Sequence, residues 1–268
     1  MNKLIEIAIK ASIEAGKAIM EIYDTDFKIE YKDDNSPLTT ADNASHHVIM
    51  TYLQSTKLPV LSEEGKQLPF EKRKAWHQFW LVDPLDGTKE FIKRNGEFTV
   101  NIALVENGIP VAGVIYVPVT DVLYTGIKSE GAFKLKGTGD FKCLVEELKK
   151  KAVFLPEIKK TDAFMVVASR SHLSAETEAF IKNLKKDHTH IQIVSKGSSL
   201  KLCLIAEGAA DIYPRFAPTM EWDTGAGHAI VSAAGGKVVL AEDEKTNVTY
   251  NKENLLNPWF IAEGEAYH

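Results

Sequence analysis

The stretch that most constrains the fold is residues 79–88, FWLVDPLDGT. Its first four residues form an apolar run, which predicts a buried strand, and the run ends in the carboxylates of Asp83 and Asp86. Gly87 and Thr88 can then open a helical turn whose free N–H groups face an anion. The segment therefore predicts a strand that brings charge to the edge of a sheet. A plain tight turn is the alternative, since most Asp-Gly pairs in proteins serve that purpose.

Three further acids lie at comparable places in the chain. Glu63 follows the short apolar run 58–61, Asp223 directly precedes a predicted helix over 224–234, and Asp42 lies at the start of a predicted helix over 43–53. Asp42 or Thr40 is well placed to cap that last helix, so capping is the structural alternative for both. The five acids together form a candidate constellation.

The residue types in this constellation indicate a particular chemistry. Oxygen-only ligands in this number suit Mg²⁺ or Mn²⁺, and the absence of neighbouring Cys or His disfavours zinc. Several carboxylates cannot gather in one cleft unless cations offset their repulsion. With no lysine base and no Ser-His pair beside them, the acids predict metal-assisted hydrolysis rather than covalent catalysis.

The order of the predicted elements indicates an α/β (α+β) fold. An amphipathic helix over 4–23 precedes a β-rich region, 98–126, whose Asn107-Gly108 pair predicts an antiparallel hairpin. Strands and helices then alternate, which favours layered sheets with helices between and outside them. The lysine-rich region 136–160 is interpreted as a solvated connector. We therefore expect two parts: 1–160, with most of the candidate metal ligands, and 161–268, with Asp223.

Composition excludes several classes of protein. The chain has 268 residues and a formal net charge of −5, which disfavours binding to a nucleic-acid polymer. Its two cysteines lie far apart without metal-ligand spacing, which favours a reducing cytosolic compartment. Acidic residues interrupt the apolar positions near the N-terminus, so no signal peptide is expected. No apolar run approaches the ~18 residues of a membrane span, so no integral membrane segment is expected.

Two motifs resemble the signatures of a known family. Residues 83–88 (DPLDGT) and 222–227 (WDTGAG) resemble those of the inositol monophosphatase family of Mg²⁺-dependent, lithium-sensitive phosphatases. Residues 35–42 (NSPLTTAD), 59–65 (PVLSEEG) and 196–216 (KGSSLKLCLIAEGAADIYPRF) extend the likeness toward its 3′(2′),5′-bisphosphate nucleotidase branch.

The resemblance implies a fold, an activity and a location. It implies an αβαβα sandwich that removes the 3′-phosphate of 3′-phosphoadenosine 5′-phosphate to give AMP, a by-product step of sulfate assimilation. It also implies a cytoplasmic protein; peripheral contact with the cytoplasmic face of the membrane and the oligomeric state are left open. The partner is a small-molecule nucleotide.

The resemblance further implies a metal site. Glu63 and Asp83 would ligate a first Mg²⁺ with the Leu85 carbonyl, and Asp83, Asp86 and Asp223 would ligate a second. Two to three ions are expected, Mn²⁺ would substitute, and Li⁺ would inhibit at the second position.

Catalytic roles follow from the same resemblance. Asp42 would orient a water on a third, weaker metal, and Thr88 would orient the attacking water, so that Asp42, Thr88 and Glu63 are the catalytic candidates. The N–H groups of Gly87 and Thr88 would steady the phosphate.

Substrate choice is expected to reside in the second half. Helix N-terminal donors at Ser198 and Ser199 together with Lys201 suit a second phosphate. The predicted substrate contacts are Glu63, Leu85, Asp86, Gly87, Thr88, His172, Gly197, Ser198, Lys201, Arg215 and Asp223. The structural alternatives are a surface histidine, a plain N-cap at 197–198 and a solvated Lys201.

Two other functions remain open on the sequence. An inositol monophosphatase or sugar-phosphate phosphatase would use the same metal site. A non-catalytic nucleotide sensor belongs to a different class, and the intact acids with a water-positioning Thr88 argue against it.

Overall fold

The computed structural model describes residues 1–26, 29–31, 37–66, 68–157, 162–168 and 173–265. The helices in this part of the chain are α1 (Asn2–Tyr23), α2 (Thr40–Leu53), α3 (Phe70–Arg73), α4 (Thr88–Ile92), α5 (Val145–Lys151), α6 (Ala175–Leu184), α7 (Leu200–Ala206) and α8 (Glu221–Ala233). The strands are β1 (Ile29–Tyr31), β2 (Pro37–Thr39), β3 (Val60–Ser62), β4 (Gln78–Asp86), β5 (Thr99–Glu106), β6 (Ile109–Val117), β7 (Val122–Ile127), β8 (Gly131–Lys136), β9 (Val153–Leu155), β10 (Phe164–Val167), β11 (Ile191–Val194), β12 (Ile212–Arg215), β13 (Lys237–Leu240) and β14 (Phe260–Glu263).

Two large sheets organise these strands. The first has seven strands in the order β3-β4-β5-β6-β7-β8-β9, parallel between β3 and β4 and antiparallel beyond. The second has five strands in the order β11-β10-β12-β14-β13. Strand β10 is parallel to β11 and β12, whereas β14 is antiparallel to both of its neighbours. Strands β1 and β2 form a separate antiparallel pair.

Helices lie between and outside the two sheets. Helices α1 and α2 pack on one face of the first sheet, and α8 packs on its other face. Helices α7 and α8 also contact the second sheet, whose far face packs against α6. The result is an α-β-α-β-α stack, which confirms the predicted fold class.

Glycines let α8 approach the first sheet closely. A Cβ on Gly113 would lie 2.3 Å from the Ala226 carbonyl oxygen, and one on Gly126 would lie 2.5 Å from Ile230 Cα. Side chains at these positions of β6 and β7 would push the helix away. Because Asp223 lies in the first turn of α8, this contact also fixes how far that acid stands from the sheet.

The structure confirms one local prediction and corrects another. Asn107 and Gly108 both have positive φ, 49° and 77°, as a two-residue hairpin turn requires. The described part of the predicted connector, 136–157, is not a solvated connector: α5 buries Val145 and Leu148, and β9 extends the first sheet. The prediction was wrong because the many lysines indicated a solvent-exposed segment, whereas Val145 and Leu148 attach this segment to the core. The division at 160/161 stays a prediction, and α7 and α8 from the second half pack into a core shared with the first sheet.

Within the described ranges, no helix is both long enough and apolar enough to cross a bilayer.

Candidate active site

The site begins where β4 ends. Asp83 pairs with Asn101 and Asp86 with Thr99, so the register shifts between the two acids, where the strand carries Pro84. A shift of this kind re-aims side chains, and Pro84 has no N–H for the ladder. The Leu85 N–H donates to Asp83 Oδ1 at 3.1 Å, which fixes that carboxylate against its own backbone.

Two more acids join Asp83 from other elements. Glu63 directly follows β3, the parallel neighbour of β4, and Asp223 is the third residue of α8. Oxygen atoms of Glu63, Asp83 and Asp223 all lie within 4.8 Å of one another. We call these three residues the acidic cluster. Asp86 lies outside it, although its charge acts on both Asp83 and Asp223.

The pKa values of the acidic cluster indicate whether it can bind a cation. Burial, and then the charges of Glu63 and the neighbouring aspartates, raise the pKa of Asp83 well above its ordinary value. Burial and the charge of Asp86 raise the pKa of Asp223 to about 8, although the hydrogen bond from the Met220 N–H and, to a smaller extent, the charge of Arg215 oppose that rise. Buried carboxylates held together against their repulsion are stabilised by a divalent ion. The cluster could therefore bind a metal through oxygen ligands alone.

Asp42 and Thr88 form a hydrogen-bonded pair near the acidic cluster. Thr39, not Thr40, is the N-cap of α2, and Asp42 completes a capping box with it. Asp42 Oδ2 accepts from the Thr39 N–H at 2.7 Å, and Asp42 Oδ1 accepts from the Thr88 hydroxyl at 3.1 Å. Burial raises the pKa of Asp42, even though hydrogen bonds from Thr39 lower it. Asp42 therefore caps a helix with one oxygen and holds Thr88 with the other.

The next feature is a cavity of 270 Å³ whose lining carries charges of both signs. Its lining residues are Asp86, Gly87, Glu90, Lys196, Gly197, Ser198, Ser199, Lys201, Leu202, Tyr213, Arg215, Thr219, Asp223, Thr224 and Phe260. We call Glu63, Asp83, Asp86 and Asp223 the acid side, of which Asp86 and Asp223 reach the cavity. We call Lys196, Lys201 and Arg215 the cation side.

The cation side is held by backbone carbonyl groups and one carboxylate. Lys201 Nζ donates to the Ser198 carbonyl at 2.7 Å, and Arg215 Nη2 donates to the Pro218 carbonyl at 3.0 Å. Arg215 Nε is buried, and no described residue accepts its hydrogen. Lys196 Nζ donates to Glu97 at 3.0 Å. The same three cations also line a second cavity of 450 Å³, so they belong to the lining of both cavities.

The chain matches a known family along nearly its whole length. The profile of the inositol monophosphatase family matches residues 1–265. Two curated relatives are named 3′(2′),5′-bisphosphate nucleotidase CysQ. The Escherichia coli (strain K12) protein is 46% identical over 252 residues, 92% of this chain and 94% of that protein. The Salmonella typhimurium protein is 45% identical over 263 residues, 96% and 98%.

Solved structures agree with this match. The crystal structure of CysQ from Bacteroides thetaiotaomicron is 51% identical, with a TM-score of 0.90 over 99% of this chain and 98% of that one. Inositol monophosphatase II from Staphylococcus aureus has a TM-score of 0.71 at 20% identity, over 96% of this chain and 90% of that one, and shows the shared fold.

The chain belongs to the inositol monophosphatase family.

Membership of the inositol monophosphatase family, a family of metal-dependent phosphatases, gives the predicted residues a context. The structure brings together Glu63, Asp83, Leu85, Asp86 and Thr88 from the first half with Asp223 from the second, and Asp42 joins them through Thr88. Gly197, Ser198, Lys201 and Arg215 line the same cavity as Asp86 and Asp223. His172 lies outside the described residues.

Helix α7 begins later than the helix start that was expected at Ser198 and Ser199. It begins at Leu200 with Ser199 as its N-cap, and Ser198 precedes it with a positive φ of 43°. The predicted helix N-terminal donors therefore lie in a loop, and the Gly197 N–H donates to Glu97 at 2.7 Å.

Two residues of the site were missed or misjudged on the sequence. Asn101 was not considered, and Ser199 was expected to face an anion. In the structure the Ser199 hydroxyl lies 2.5 Å from Asp86 Oδ2, and Asn101 Nδ2 lies 3.3 Å from the same oxygen. Thr99 and Asn101, two polar residues on one face of an otherwise apolar strand, were the signal, because buried polar groups need partners.

Proposed function

We propose that this protein is a Mg²⁺-dependent 3′(2′),5′-bisphosphate nucleotidase. It would hydrolyse 3′-phosphoadenosine 5′-phosphate to AMP and inorganic phosphate, a recycling step beside sulfate assimilation. The similarity to proteins named CysQ at 45–51% identity supports this assignment. We further propose that it acts in the cytoplasm.

One observation supports the proposal more than any other: acids of the proposed metal site and cations line the same cavity. Asp86 and Asp223 line it together with Lys201 and Arg215. A metal phosphatase that acts on a monophosphate needs only the acid side. Cations in the same lining suit a second phosphate that is held but not cleaved, because Lys and Arg bind phosphate oxygens strongly. The arrangement therefore favours a substrate with two separated phosphates.

The proposed metal site uses the acids already described. Glu63, Asp83 and the Leu85 carbonyl would hold one Mg²⁺, and Asp83, Asp86 and Asp223 a second, with two to three ions in total. Bound Mg²⁺ supplies an activated water and takes up charge on the leaving oxygen. Mn²⁺ would substitute for Mg²⁺, and Li⁺ would inhibit.

The chain's own residues would orient the reactants. The Thr88 hydroxyl donates its single proton to Asp42, so its lone pairs are available to accept a hydrogen bond from water. A water held there points its own lone pair away from Thr88. Gly87 lines the cavity beside Asp86, where its backbone N–H can meet a phosphate oxygen. Together these groups would align the attacking water and the phosphate.

On the cation side, Lys201 and Arg215 would bind the 5′-phosphate. Both donate to backbone carbonyls in the structure, and they can exchange those bonds for stronger ones to a phosphate dianion. Gly197 and Ser198 would contact the nucleotide from the same loop. His172 remains a predicted contact.

The decisive experiment is phosphate release with Mg²⁺ from a panel of substrates. The panel contains 3′-phosphoadenosine 5′-phosphate, inositol 1-phosphate and fructose 1,6-bisphosphate. We expect the highest kcat/KM on the nucleotide, loss of activity in EDTA, recovery with Mg²⁺ or Mn²⁺, and inhibition by Li⁺. Faster turnover of inositol 1-phosphate would assign the protein to the monophosphatases instead. Tight nucleotide binding without phosphate release would favour the sensor.

A further inference from the structure

The Ser199 hydroxyl lies at the centre of a buried polar group. Its oxygen is 2.5 Å from Asp86 Oδ2, 2.8 Å from Asn101 Nδ2 and 2.9 Å from the Asp223 carbonyl oxygen. Ser199 is 3% exposed and Asn101 is 1% exposed. Water therefore cannot readily replace any of these contacts, and each polar atom depends on its neighbours here.

Counting protons gives the direction of these hydrogen bonds. Asn101 Oδ1 accepts from the Thr99 hydroxyl at 2.9 Å, which orients the amide so that Nδ2 points at Ser199. Because Nδ2 can only donate, the Ser199 oxygen accepts from it. The single hydroxyl proton of Ser199 then goes to Asp86, since a carboxylate is a stronger acceptor than the Asp223 carbonyl group.

These contacts hold Asp86 by one oxygen. Ser199 and Asn101 both meet Oδ2, and among the described residues none donates to Oδ1. Asp86 lines the 270 Å³ cavity next to Asp223. Its carboxylate is thus fixed in rotation, with one oxygen tied to the protein and the other available to a ligand.

Ser199 also connects the two sides of the cavity. It ends the loop 196–199, whose other end is held by Glu97, since the Gly197 N–H and Lys196 Nζ donate to that carboxylate at 2.7 Å and 3.0 Å. The loop is therefore attached to the first half of the chain at two points, Glu97 and Asp86. Loss of the Ser199 hydroxyl would remove the attachment of this loop to Asp86.

We propose that Ser199 is a positioning residue that fixes Asp86 for a divalent cation. Its hydroxyl holds Oδ2, so that Oδ1 is presented beside the acidic cluster without a search over carboxylate rotamers. The inference rests on the proposed function only in that a divalent cation acts at this site, and it requires no particular substrate.

The test is direct titration of the full-length protein with Mn²⁺, followed by electron paramagnetic resonance in the absence of nucleotide. We expect Ser199→Ala to weaken the Mn²⁺ site that uses Asp86 roughly tenfold, the effect of losing a group that orients a metal ligand. A second Mn²⁺ held by Glu63 and Asp83 should keep its affinity. Ser199→Thr, which keeps the hydroxyl, should restore most of the loss.

The matched control is Ser12→Ala. Ser12 lies in α1, is fully buried and donates to the Ile9 carbonyl at 2.9 Å, so this change also removes one buried hydroxyl. Both alanine variants should lower the melting temperature, but only Ser199→Ala should alter Mn²⁺ affinity. Unchanged Mn²⁺ affinity in Ser199→Ala, or equal weakening in the control, would overturn the proposal.

Asn101→Ala provides a second route that leaves α7 intact. Because Asn101 and Ser199 act on one oxygen, their effects on Mn²⁺ affinity should be clearly less than additive in the double variant. Full additivity would contradict a shared role. An enzyme that ignores 3′-phosphoadenosine 5′-phosphate but shows these Mn²⁺ effects would refute the proposed substrate alone. Normal nucleotide turnover with unchanged Mn²⁺ affinity would refute the role of Ser199 alone.

Discussion

The acid side and the cation side of the cavity differ in how their side chains are held. On the acid side, Asp83, Asp86 and Asp223 each accept a hydrogen bond from a fixed neighbouring group, and Asp83 is 1% exposed. On the cation side, Lys201 and Arg215 are only half-buried and donate to the carbonyl groups of nearby loops.

The difference indicates a division of work. Metal ligands must be held within narrow limits before the ion arrives, and their mutual repulsion has to be countered by the fold. A cationic side chain that binds a phosphate away from the metal site can change its position when the substrate arrives. Its hydrogen bond to a backbone carbonyl group is weaker than the one it forms with a phosphate dianion. We therefore infer that the acid side determines the rate of the reaction and the cation side the choice of substrate.

The largest effect on activity should come from removing a charge from the acid side. Asp83→Asn keeps the acceptor for the Leu85 N–H but removes a charge shared by both proposed metal positions. We expect kcat to fall roughly 10³-fold or more, about 4 kcal/mol of barrier, on every substrate. The control is Asp121→Asn, the same change at a carboxylate that Thr138 and Tyr116 hold elsewhere. Activity of Asp83→Asn within a factor of two of the parent would remove Asp83 from the metal site.

Breaking the cation side should have a smaller and selective effect. Lys201→Ala should lower kcat/KM for 3′-phosphoadenosine 5′-phosphate roughly 30-fold, about 2 kcal/mol, the scale of a charged hydrogen bond. Turnover of inositol 1-phosphate should scarcely change, since it has no second phosphate. Lys182→Ala, an exposed lysine on α6, is the control. Equal losses on both substrates would show that Lys201 serves the loop or the metal site.

The repulsion among the acid-side carboxylates should also be measurable without an activity assay, because it makes the stability of the metal-free protein depend on pH. The raised pKa of Asp223, about 8, means that the folded state binds more protons than the unfolded state between pH 4 and 8. As far as this group is concerned, stability is therefore greatest at and below about pH 4, where the carboxyl group is protonated in both states, and it is lost as pH rises toward 8. In EDTA we expect the melting temperature to fall by more than about 10 °C over that range, at roughly 1.4 kcal/mol per pKa unit and 2–4 °C per kcal/mol.

Two comparisons sharpen that result. Asp223→Asn should flatten the dependence, because the amide does not titrate. Mg²⁺ added to the parent at pH 8 should recover the lost degrees, since it offsets the same repulsion. A parent protein whose melting temperature in EDTA rises between pH 5 and 8 would contradict the view that the acid side is strained.

The smallest effect should come from weakening the attachment of the loop 196–199 to Glu97. Burial raises the pKa of Glu97, but hydrogen bonds from Lys196 and Gly197 outweigh it and hold that pKa below its usual value. Glu97→Gln should weaken this attachment and raise KM for the nucleotide about fivefold, about 1 kcal/mol, with kcat little changed. Glu106→Gln, on β5, is the control. A fall in kcat without a change in KM would place Glu97 with the acid side.

Local sequence determined most of the individual elements. The helix over 4–23, the hairpin at Asn107-Gly108 and the charged end of β4 follow from periodicity and turn chemistry within a few residues. The motifs at 83–88 and 222–227 also indicated the family and hence the layered fold. These features could be predicted because the chemistry that produces them lies within a few neighbouring positions.

Tertiary structure decided where those elements meet. Strand β14 (Phe260–Glu263) was not predicted, because four residues near the end of the chain show no distinctive period, yet it is the central link between β12 and β13. Helix α8 begins at Glu221, earlier than expected, since the Asp223 carboxylate accepts from the Met220 N–H and caps the helix itself.

The roles of Ser199 and Asn101 likewise depended on the folded chain. Nothing within a few residues of Ser199 in sequence shows that its hydroxyl meets Asp86, which is brought there by packing of α7 against α8 and of α8 against the first sheet. Sequence motifs identify which acids can hold a metal because those residue types are chemically required. The groups that orient the acids are set by distance in the folded protein, which local pattern does not encode.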